Sequence, residues 1–441
     1  MCAESRWTEE RITGMTEVEF QSSESVQWTV RPAAGEALHP TVAPNGRIGV
    51  LLLASSLERG GAERQVVHLA NCLDRQRFDV HVCSLSRRLD LADGLIERDR
   101  VLHVLEKHGR FDASLPIRLA RFLRRLRCQL VHAFLFDAEM TARLASMLVP
   151  SIAILGSERN ADYHVRWLHK WSLRLTRRWA DATIANSDAG VRFAIQTGRS
   201  LPNRTFLVRN GVDVVRFAPM GSPKTRRQLG GKAGEFVVGM VANFKPQKNH
   251  LMFFRVARRV LDRIPNVRFV CVGERLETVD RGLASWRSGC GIPDAAAYHE
   301  RMRSAIRESG LADRVFIAGA CEDMPGFYNA CSLIVSTSMH EGTPNVLLES
   351  MACGVPVVAT DVADNAFVLG AGQGGVVVAL DDVEAMAAQI CGLLLDQERR
   401  AALGASARRW VESEFSLQSL ADRTAAVYET ILLGRSACRI A

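Results

Sequence analysis

The stretch that decides the fold reads EGTPNVLLESMACGVPVVAT and spans residues 341–360. The apolar residues 333–336 before it favour a buried strand. Thr343 and Pro344 are typical of a helix N-cap and of the first helical position. Gly354 supplies the left-handed residue that commonly follows a helix, and the valines after it favour another buried strand. The stretch therefore predicts a strand, a loop, a helix and a second strand.

Two glutamates in this stretch are candidate ligand-binding residues. Glu349 lies four residues after Asn345, on the same face of the predicted helix and near its start. Free N–H groups at a helix start attract phosphate, and a carboxylate one turn further on suits vicinal hydroxyls such as those of a ribose. Glu341 lies before the helix and is free to bind another group. The alternative is that both glutamates are solvated surface residues.

The pattern E-G-x-P-x-x-x-L-E-x-M-A-C-G-x-P-V-V-A-T resembles the signature of retaining, nucleotide-sugar-dependent glycosyltransferases of family 4, which include bacterial polysaccharide and lipid-linked glycan transferases. The resemblance extends from Arg47 to Leu433 and implies an α/β protein of GT-B architecture, with two doubly wound Rossmann-like domains facing a cleft. It implies that Glu341 is catalytic and holds the donor sugar near its anomeric carbon. The residues that it implies for donor binding in this stretch are Gly342, Thr343, Pro344, Asn345, Val346 and Glu349.

Size and composition fit a protein of two ordinary domains. The chain has 441 residues, of which 47% are hydrophobic and 24% charged. The net charge of +8 indicates anionic partners, for which nucleotide phosphates, lipid headgroups and nucleic acid all compete. The eleven cysteines are scattered without paired spacing, which favours reduced core residues. No stretch reaches the roughly 20 apolar residues of a membrane span, and the N-terminus lacks a signal-peptide pattern, so we expect a cytoplasmic enzyme.

Changes of composition along the chain predict its domain limits. The predicted parts are a flexible extension at 1–46, an N-terminal acceptor-side domain at 47–220, a hinge at 221–235, a C-terminal donor-binding domain at 236–416 and a helix at 417–441 that crosses back to the first domain. Residues 276–308 are predicted to form a partly helical insertion.

A pair of glycines follows the first predicted strand. Gly60 and Gly61 are predicted to form a turn ahead of an amphipathic helix from Gln65 to Leu73. Such a turn lets backbone amides approach a ligand closely, although it is more often simply a turn. It resembles the G-G-A-E-R loop that many family members place opposite the donor phosphates. No G-x-G-x-x-G fingerprint follows the strand, which argues against a dinucleotide enzyme.

A basic loop follows the first strand of the second domain, at residues 242–249. The family has an arginine and a lysine in this loop. Lys248 matches the lysine, and the resemblance implies that it binds the donor diphosphate and eases its departure. Asn243 stands where the arginine is expected, with Lys245 as a partial substitute. The alternative for Lys248 is a solvated loop lysine.

Arg159 stands nearest the place where the family commonly has a catalytic histidine. We expect the Arg159 guanidinium to steady a phosphate, as a catalytic residue, with Asn160 as a further candidate. An exposed loop arginine is the alternative. His132 ends another predicted strand and is interpreted as a packed or hydrogen-bonded residue.

Two arginine-rich amphipathic segments lie in the first domain, at 116–127 and 166–179, and the second contains three tryptophans. Each is either an ordinary domain helix or a helix that contacts a membrane surface. They could instead hold a diphosphate-linked acceptor.

The resulting hypothesis is a retaining transfer of a sugar from a nucleoside diphosphate donor, with UDP favoured, to a glycan or polyprenyl-diphosphate-linked acceptor in cell-surface polysaccharide synthesis. No D-x-D cluster is present, so no metal and no cofactor are expected. The enzyme is expected in the cytoplasm or at the inner face of the membrane. The alternatives are a sugar-nucleotide epimerase and a non-catalytic nucleotide-sugar-binding protein. Nucleic-acid binding ranks last, because the arginine runs lack a stacking platform.

Overall fold

Two parallel β-sheets organise the computed structural model, which describes residues 46–109, 111–159, 167–221, 234–273 and 295–440 together with 225, 227, 229 and 232. The first sheet contains β1 (Ile48–Ala54), β2 (Phe78–Ser84), β3 (Leu102–Val104), β4 (Leu130–Phe134), β5 (Ala153–Glu158), β6 (Ala182–Ala185) and β7 (Thr205–Leu207). Its strand order is β3-β2-β1-β4-β5-β6-β7, so the chain reverses direction across the sheet between β1 and β4. Ligands of doubly wound sheets bind at such a reversal, beyond the carboxyl ends of the strands.

Strand β1 lies between β2 and β4 in this sheet, and every one of its residues is buried. It pairs in register with β2, from Ile48 opposite Phe78 to Ala54 opposite Ser84. Each fully buried leucine of the strand contributes roughly 2 kcal/mol of hydrophobic stabilisation. The helices around the sheet are α1 (Gly61–Cys72), α2 (Arg98–Val101), α3 (Leu115–Leu126), α4 (Phe136–Ser146), α5 (Trp167–Leu175) and α6 (Asp188–Gln196).

The second sheet repeats this plan. It contains β8 (Phe236–Val241), β9 (Val267–Val272), β10 (Val315–Gly319), β11 (Leu333–Ser336), β12 (Val357–Thr360) and β13 (Gly375–Val378), in the order β10-β9-β8-β11-β12-β13. Its helices are α7 (His250–Leu261), α8 (Ala295–Glu308), α9 (Met324–Ala330), α10 (Asn345–Ala352), α11 (Asn365–Val368), α12 (Val383–Leu395) and α13 (Gln397–Glu414). Separate hydrophobic clusters cover the faces of the two sheets. The predicted α/β class with two doubly wound domains is confirmed.

The last helix, α14 (Leu417–Ile440), follows the second domain in sequence but packs on the first. Its Tyr428 is fully buried, and the Tyr428 hydroxyl lies 2.7 Å from Nδ1 of His132 in β4. Arg435 forms an ion pair with Asp181 at 2.5 Å. The helix therefore ties the two halves of the chain together behind the sheets.

Two predicted helix starts are wrong. Pro344 is the N-cap of α10, so the helix begins one residue later than Thr343 and Pro344 had suggested. Thr343 does not cap the helix because its hydroxyl donates to the Asn186 carbonyl. Gly354 does end the helix, with φ +71°. In the first domain α1 begins at Gly61 and not at Gln65, with Gly60 as N-cap.

Several sequence predictions fall partly outside the described residues. Most of the predicted extension at 1–46, much of the hinge at 221–235 and residues 276–294 of the predicted insertion are among them. The rest of the insertion is the helix α8. Eight cysteines of the described residues are free thiols, and six of these eight are buried, as predicted.

Candidate active site

Glu341 lies in the loop between β11 and α10 and is only 8% exposed. Its carboxylate forms an ion pair with Lys248. Lys248 ends the loop after β8, the strand next to β11, and the two loops are joined by hydrogen bonds. The Thr337 hydroxyl donates to the Lys248 carbonyl at 2.9 Å, and the Gln247 amide donates to the His340 carbonyl at 2.8 Å. The second domain alone therefore holds this pair in place.

Glu349 lies on the second turn of α10 and is only 4% exposed. One carboxylate oxygen accepts a hydrogen bond from the Tyr328 hydroxyl at 2.8 Å, and the other pairs with Arg64 of α1. Burial, together with the nearby carboxylate, raises the pKa of Tyr328 well above its usual value, so its hydroxyl remains a donor. The interpretation of Glu341 and Glu349 as solvated surface residues is wrong.

Gly60 and Gly61 form the N-terminus of α1, and neither has a positive φ. These glycines matter because the absence of a Cβ atom lets neighbouring side chains lie close to the backbone. A Cβ on Gly60 would overlap the Glu63 carboxylate, and a Cβ on Gly61 would lie 3.3 Å from Nδ2 of Asn345. The start of α1 thus meets the start of α10, so that two positive helix ends face one region.

Amide side chains from both domains meet beside these helix starts. The Asn210 amide donates to Oδ1 of Asn345 and to the Thr343 carbonyl, both at 2.9 Å. The Gln65 amide donates to the same Asn345 oxygen at 3.3 Å, and Asn186 accepts from Thr343 through its carbonyl. We call Gln65, Asn186, Asn210 and Asn345 the amide seam. Asn345, predicted to bind the donor, has its side chain in this contact between the domains.

Gly342 lies at a close contact between the two domains. A Cβ at this position would lie 2.6 Å from the Arg159 carbonyl and 2.6 Å from Oδ1 of Asn186, both in the first domain. Pro344 is the N-cap of α10, and Val346 in its first turn packs against the core of the second domain. Any side chain at position 342 would push the domains apart.

Arg159 follows β5 and is partly buried beside the amide seam. Its guanidinium donates to Oδ1 of Asn210 at 3.3 Å and to the Ser157 hydroxyl at 3.5 Å, and lies 4.8 Å from the Phe134 ring centroid. Burial lowers the pKa of Arg159 to about 10, which leaves it charged at neutral pH. Arg159 is therefore a hydrogen-bonded, partly buried cation and not an exposed loop arginine. Asn160 lies outside the described residues.

His132 is fully buried between two hydroxyls. Its Nδ1 lies 2.7 Å from the Tyr428 hydroxyl, and its Nε2 lies 2.7 Å from the Ser157 hydroxyl. Burial lowers the pKa of His132 well below its usual value, so it stays neutral. The interpretation of His132 as a packed, hydrogen-bonded residue is confirmed.

Asn243 lies in the loop after β8, where its carbonyl accepts from the Lys245 amide at 2.7 Å. It is on the same loop as Lys248 and contributes no charge. Across the described part of the chain, no group of three or more His, Cys, Asp or Glu side chains is arranged to hold a metal ion. Lys248 and Arg64 pair with the two carboxylates, Arg159 lies beside the amide seam, and the charge of Lys245 acts on Glu63 at the start of α1.

Two family models match the chain in succession. "Glycosyltransferase Family 4" covers residues 59–216, and "Glycosyl transferases group 1" covers residues 221–410. The chain belongs to the family 4 glycosyltransferases of the GT-B fold.

Proteins similar to this glycosyltransferase include enzymes of glycan synthesis and D-inositol 3-phosphate glycosyltransferases. It is 28% identical over 265 residues to the lipopolysaccharide core biosynthesis mannosyltransferase LpsB of Rhizobium meliloti, a match that covers 59% of this chain and 69% of that protein. It is 22% identical over 337 residues to an Escherichia coli UDP-Gal:alpha-D-GlcNAc-diphosphoundecaprenol alpha-1,3-galactosyltransferase, covering 74% of this chain and 82% of that one. The structure of Anabaena Alr3699/HepE with UDP and glucose superposes with a TM-score of 0.73 at 22% identity, over 87% of this chain and all of that chain, and shows the shared fold.

Sequence reasoning missed several residues of the glycosyltransferase cleft. They are Arg64, Gln65, Asn186, Asn210 and Tyr328. Signals for three of them were present in the sequence. Arg64 belongs to the Gly-Gly motif itself. Asn186 directly follows β6, and Asn210 is the third residue after β7, where side chains of a parallel sheet reach the ligand edge.

Proposed function

We propose that the protein is a retaining glycosyltransferase that moves a sugar from a UDP-linked donor to a glycan or polyprenyl-diphosphate-linked acceptor. Glu349 binds the ribose hydroxyls, and the amides at the starts of α1 and α10 face the diphosphate. Glu341 holds the donor sugar near its anomeric carbon. Lys248 stabilises the negative charge that develops on the departing diphosphate.

One observation carries this proposal. Two buried carboxylates lie beside the start of one helix, and each already pairs with a cation. Burying a carboxylate is costly unless it has partners, so a fold that buries two at one cleft indicates a site for hydroxyl-rich, charged ligands. Retention at the anomeric carbon rests on the family resemblance.

The named relatives support the donor and the acceptor. One uses UDP-galactose and a diphosphoundecaprenol acceptor, another builds the lipopolysaccharide core, and a solved structure of the same fold holds UDP and glucose. These descriptions favour a UDP-linked sugar and cell-surface glycan synthesis for this chain. Arg159, beside the seam in the first domain, is proposed to steady a phosphate during transfer.

A membrane surface is the proposed location of the enzyme, through the segment 166–179. On α5 the side chains of Trp167 and Trp171 are 68% and 54% exposed, and Leu168 and Leu175 are exposed beside them. Arginines follow these side chains in sequence, as in helices that lie in the headgroup region of a bilayer.

The segment 116–127 contributes differently. Its helix α3 buries Leu119, Phe122 and Leu123 in the first domain and presents arginines outward. We propose that this segment adds positive charge and inserts no apolar face. None of the helices in the described part of the chain combines the length and hydropathy that crossing a bilayer requires.

Vesicle sedimentation tests the membrane contact. The double variant Trp167→Ala/Trp171→Ala should lose binding to vesicles that contain phosphatidylglycerol. Leu395→Ala removes another exposed apolar side chain, on α12 of the second domain, and should bind as the unmodified protein does. Equal binding of both variants would contradict the proposed surface.

A panel of radiolabelled nucleotide sugars, incubated with and without a polyprenyl-diphosphate acceptor, tests the proposed reaction. Label transfer to the acceptor from a UDP-sugar supports it, and the anomeric configuration of the product, read by NMR, tests retention. Conversion of the donor sugar without acceptor would instead indicate an epimerase. Binding without any conversion would indicate a non-catalytic protein.

A further inference from the structure

The donor site needs positive charge that the second domain does not supply by itself. A nucleoside diphosphate sugar brings about two negative charges to the cleft at neutral pH, one on each phosphate. In the loop after β8, Lys248 is paired with Glu341, and position 243 is an asparagine. Lys245 of the same loop lies close enough to Glu63 of α1 for its charge to act on that carboxylate. Lysine and glutamate together contribute no net charge. Helix N-terminal amides add only partial charge, so a further full cation is expected nearby.

Arg64 lies at that place, on the opposite domain. It is in the first turn of α1, next to Gln65 of the amide seam, and its guanidinium reaches across the cleft to Glu349. The starts of α1 and α10 touch beside it, since the Asn345 amide donates to the Gly61 carbonyl at 3.4 Å. The Arg64 guanidinium therefore pairs with the proposed ribose carboxylate, and Arg64 itself lies within one helical turn of the proposed phosphate-binding amides of α1.

The pairing of Arg64 with Glu349 leaves the arginine able to turn. The Arg64 side chain is 36% exposed, whereas that of Glu349 is 5% exposed and keeps a second partner in the Tyr328 hydroxyl. A planar guanidinium offers several donors at once, so it can hold a phosphate oxygen while remaining close to the carboxylate. A cavity of about 490 Å³, lined by residues of both domains, opens beside Arg64.

Resting on the proposed function, we propose that Arg64 is a donor-binding residue that supplies the second cation for the donor diphosphate from the first domain. Donor binding would then require both domains, because one cation comes from each. A purely structural role, in which Arg64 only neutralises Glu349 and holds the domains together, is the competing explanation.

Calorimetric titration with three probes, UDP, uridine and inorganic pyrophosphate, distinguishes a donor-binding role of Arg64 from a structural one. Arg64→Ala should weaken UDP and pyrophosphate binding about tenfold or more, as loss of a charge-assisted hydrogen bond does, and change uridine binding less than about threefold. Arg64→Lys should recover part of the loss. The matched control is Arg59→Ala, which removes an equal charge from an exposed neighbour that lines the same cavity.

The Glu349→Gln background tests the structural explanation. If Arg64 served only to neutralise Glu349, adding Arg64→Ala to Glu349→Gln would change nothing. We expect the further loss of pyrophosphate affinity to persist in the double variant. Unchanged affinities, or equal weakening of UDP and uridine, would overturn the inference while leaving the proposed transfer reaction intact.

The two proposals fail in different ways. An unmodified protein that binds pyrophosphate but not UDP would overturn the UDP donor alone, since the pyrophosphate comparison still tests Arg64. An unmodified protein that binds neither probe would overturn both proposals.

Discussion

The two glutamate–cation pairs of the cleft have the same chemistry but different connections. Glu341 and Lys248 both belong to the second domain, on loops that are hydrogen-bonded to each other. Glu349 belongs to the second domain and Arg64 to the first. Folding of one domain sets the first pair, whereas the second pair forms where two domains meet. The sugar end of the proposed donor site is therefore preformed, and the nucleotide end depends on how closely the domains approach.

The largest expected effect comes from breaking the preformed pair of Glu341 and Lys248. Glu341→Gln keeps the shape of the side chain but removes its charge beside the reacting sugar, so kcat should fall about 100- to 1,000-fold with little change in the donor KM. Steady-state kinetics with the active donor measures this split. Glu322→Gln, an exposed carboxylate beside the cavity, is the matched control and should behave as the unmodified enzyme does.

The next largest effect is expected from breaking the pair of Glu349 and Arg64, which joins the two domains. Glu349→Gln should raise the donor KM about 10- to 100-fold and leave kcat nearly unchanged, because the ribose is bound equally in the ground and transition states. The same kinetic assay reports both constants. Equal, small effects of Glu341→Gln and Glu349→Gln on both constants would contradict the separate roles.

A smaller effect tests the approach of the domains without touching either carboxylate. Gly342→Ala places a methyl group 2.6 Å from the Arg159 carbonyl, so the domains must separate slightly. We expect kcat/KM to fall about tenfold, since small displacements of catalytic groups are costly. Gly434→Ala, in the last helix, meets nothing within 4 Å and should leave kcat/KM unchanged.

The smallest expected effect concerns the stability of the fold in acid and involves neither glutamate–cation pair. His132 is buried with a lowered pKa, so the unfolded chain binds an extra proton below about pH 6.5, and stability falls as pH drops. This one histidine contributes at most about 1.4 kcal/mol per pH unit. His132→Gln should reduce the slope of the free energy of unfolding between pH 6.5 and 5, measured by urea denaturation.

Tyr428→Phe is the control for that slope. It removes the hydrogen bond to His132 but keeps the buried imidazole, so its stability should fall by a similar amount at every pH. A slope that is unchanged in His132→Gln would show that His132 does not cause the acid sensitivity.

Much of the fold could be predicted from sequence because its signals are local. The strand predicted at residues 333–336 is β11, with the same limits, and Gly354 ends its helix as expected. The helix starts were less accurate. A proline can cap a helix as well as begin it, and nothing local showed that the Thr343 hydroxyl is already bonded to the opposite domain.

The candidate site likewise contains residues that local motifs predict and residues that only the fold brings together. Glu341, Lys248 and Glu349 were predicted as site residues because each lies in a recognisable motif. The partners Arg64, Asn210 and Tyr328 were not found, because they come from distant parts of the chain and only the fold brings them to Glu349 and Asn345. Contacts between domains depend on both sheets at once and leave no local pattern.

Titration of UDP, which lacks the donor sugar, into Glu341→Gln and Glu349→Gln tests the central claim most directly. If Glu349 binds the nucleotide and Glu341 the sugar, UDP affinity should fall about tenfold or more in Glu349→Gln and stay within about threefold in Glu341→Gln. Equal loss of UDP affinity in both variants, or no loss in Glu349→Gln, would contradict the assignment.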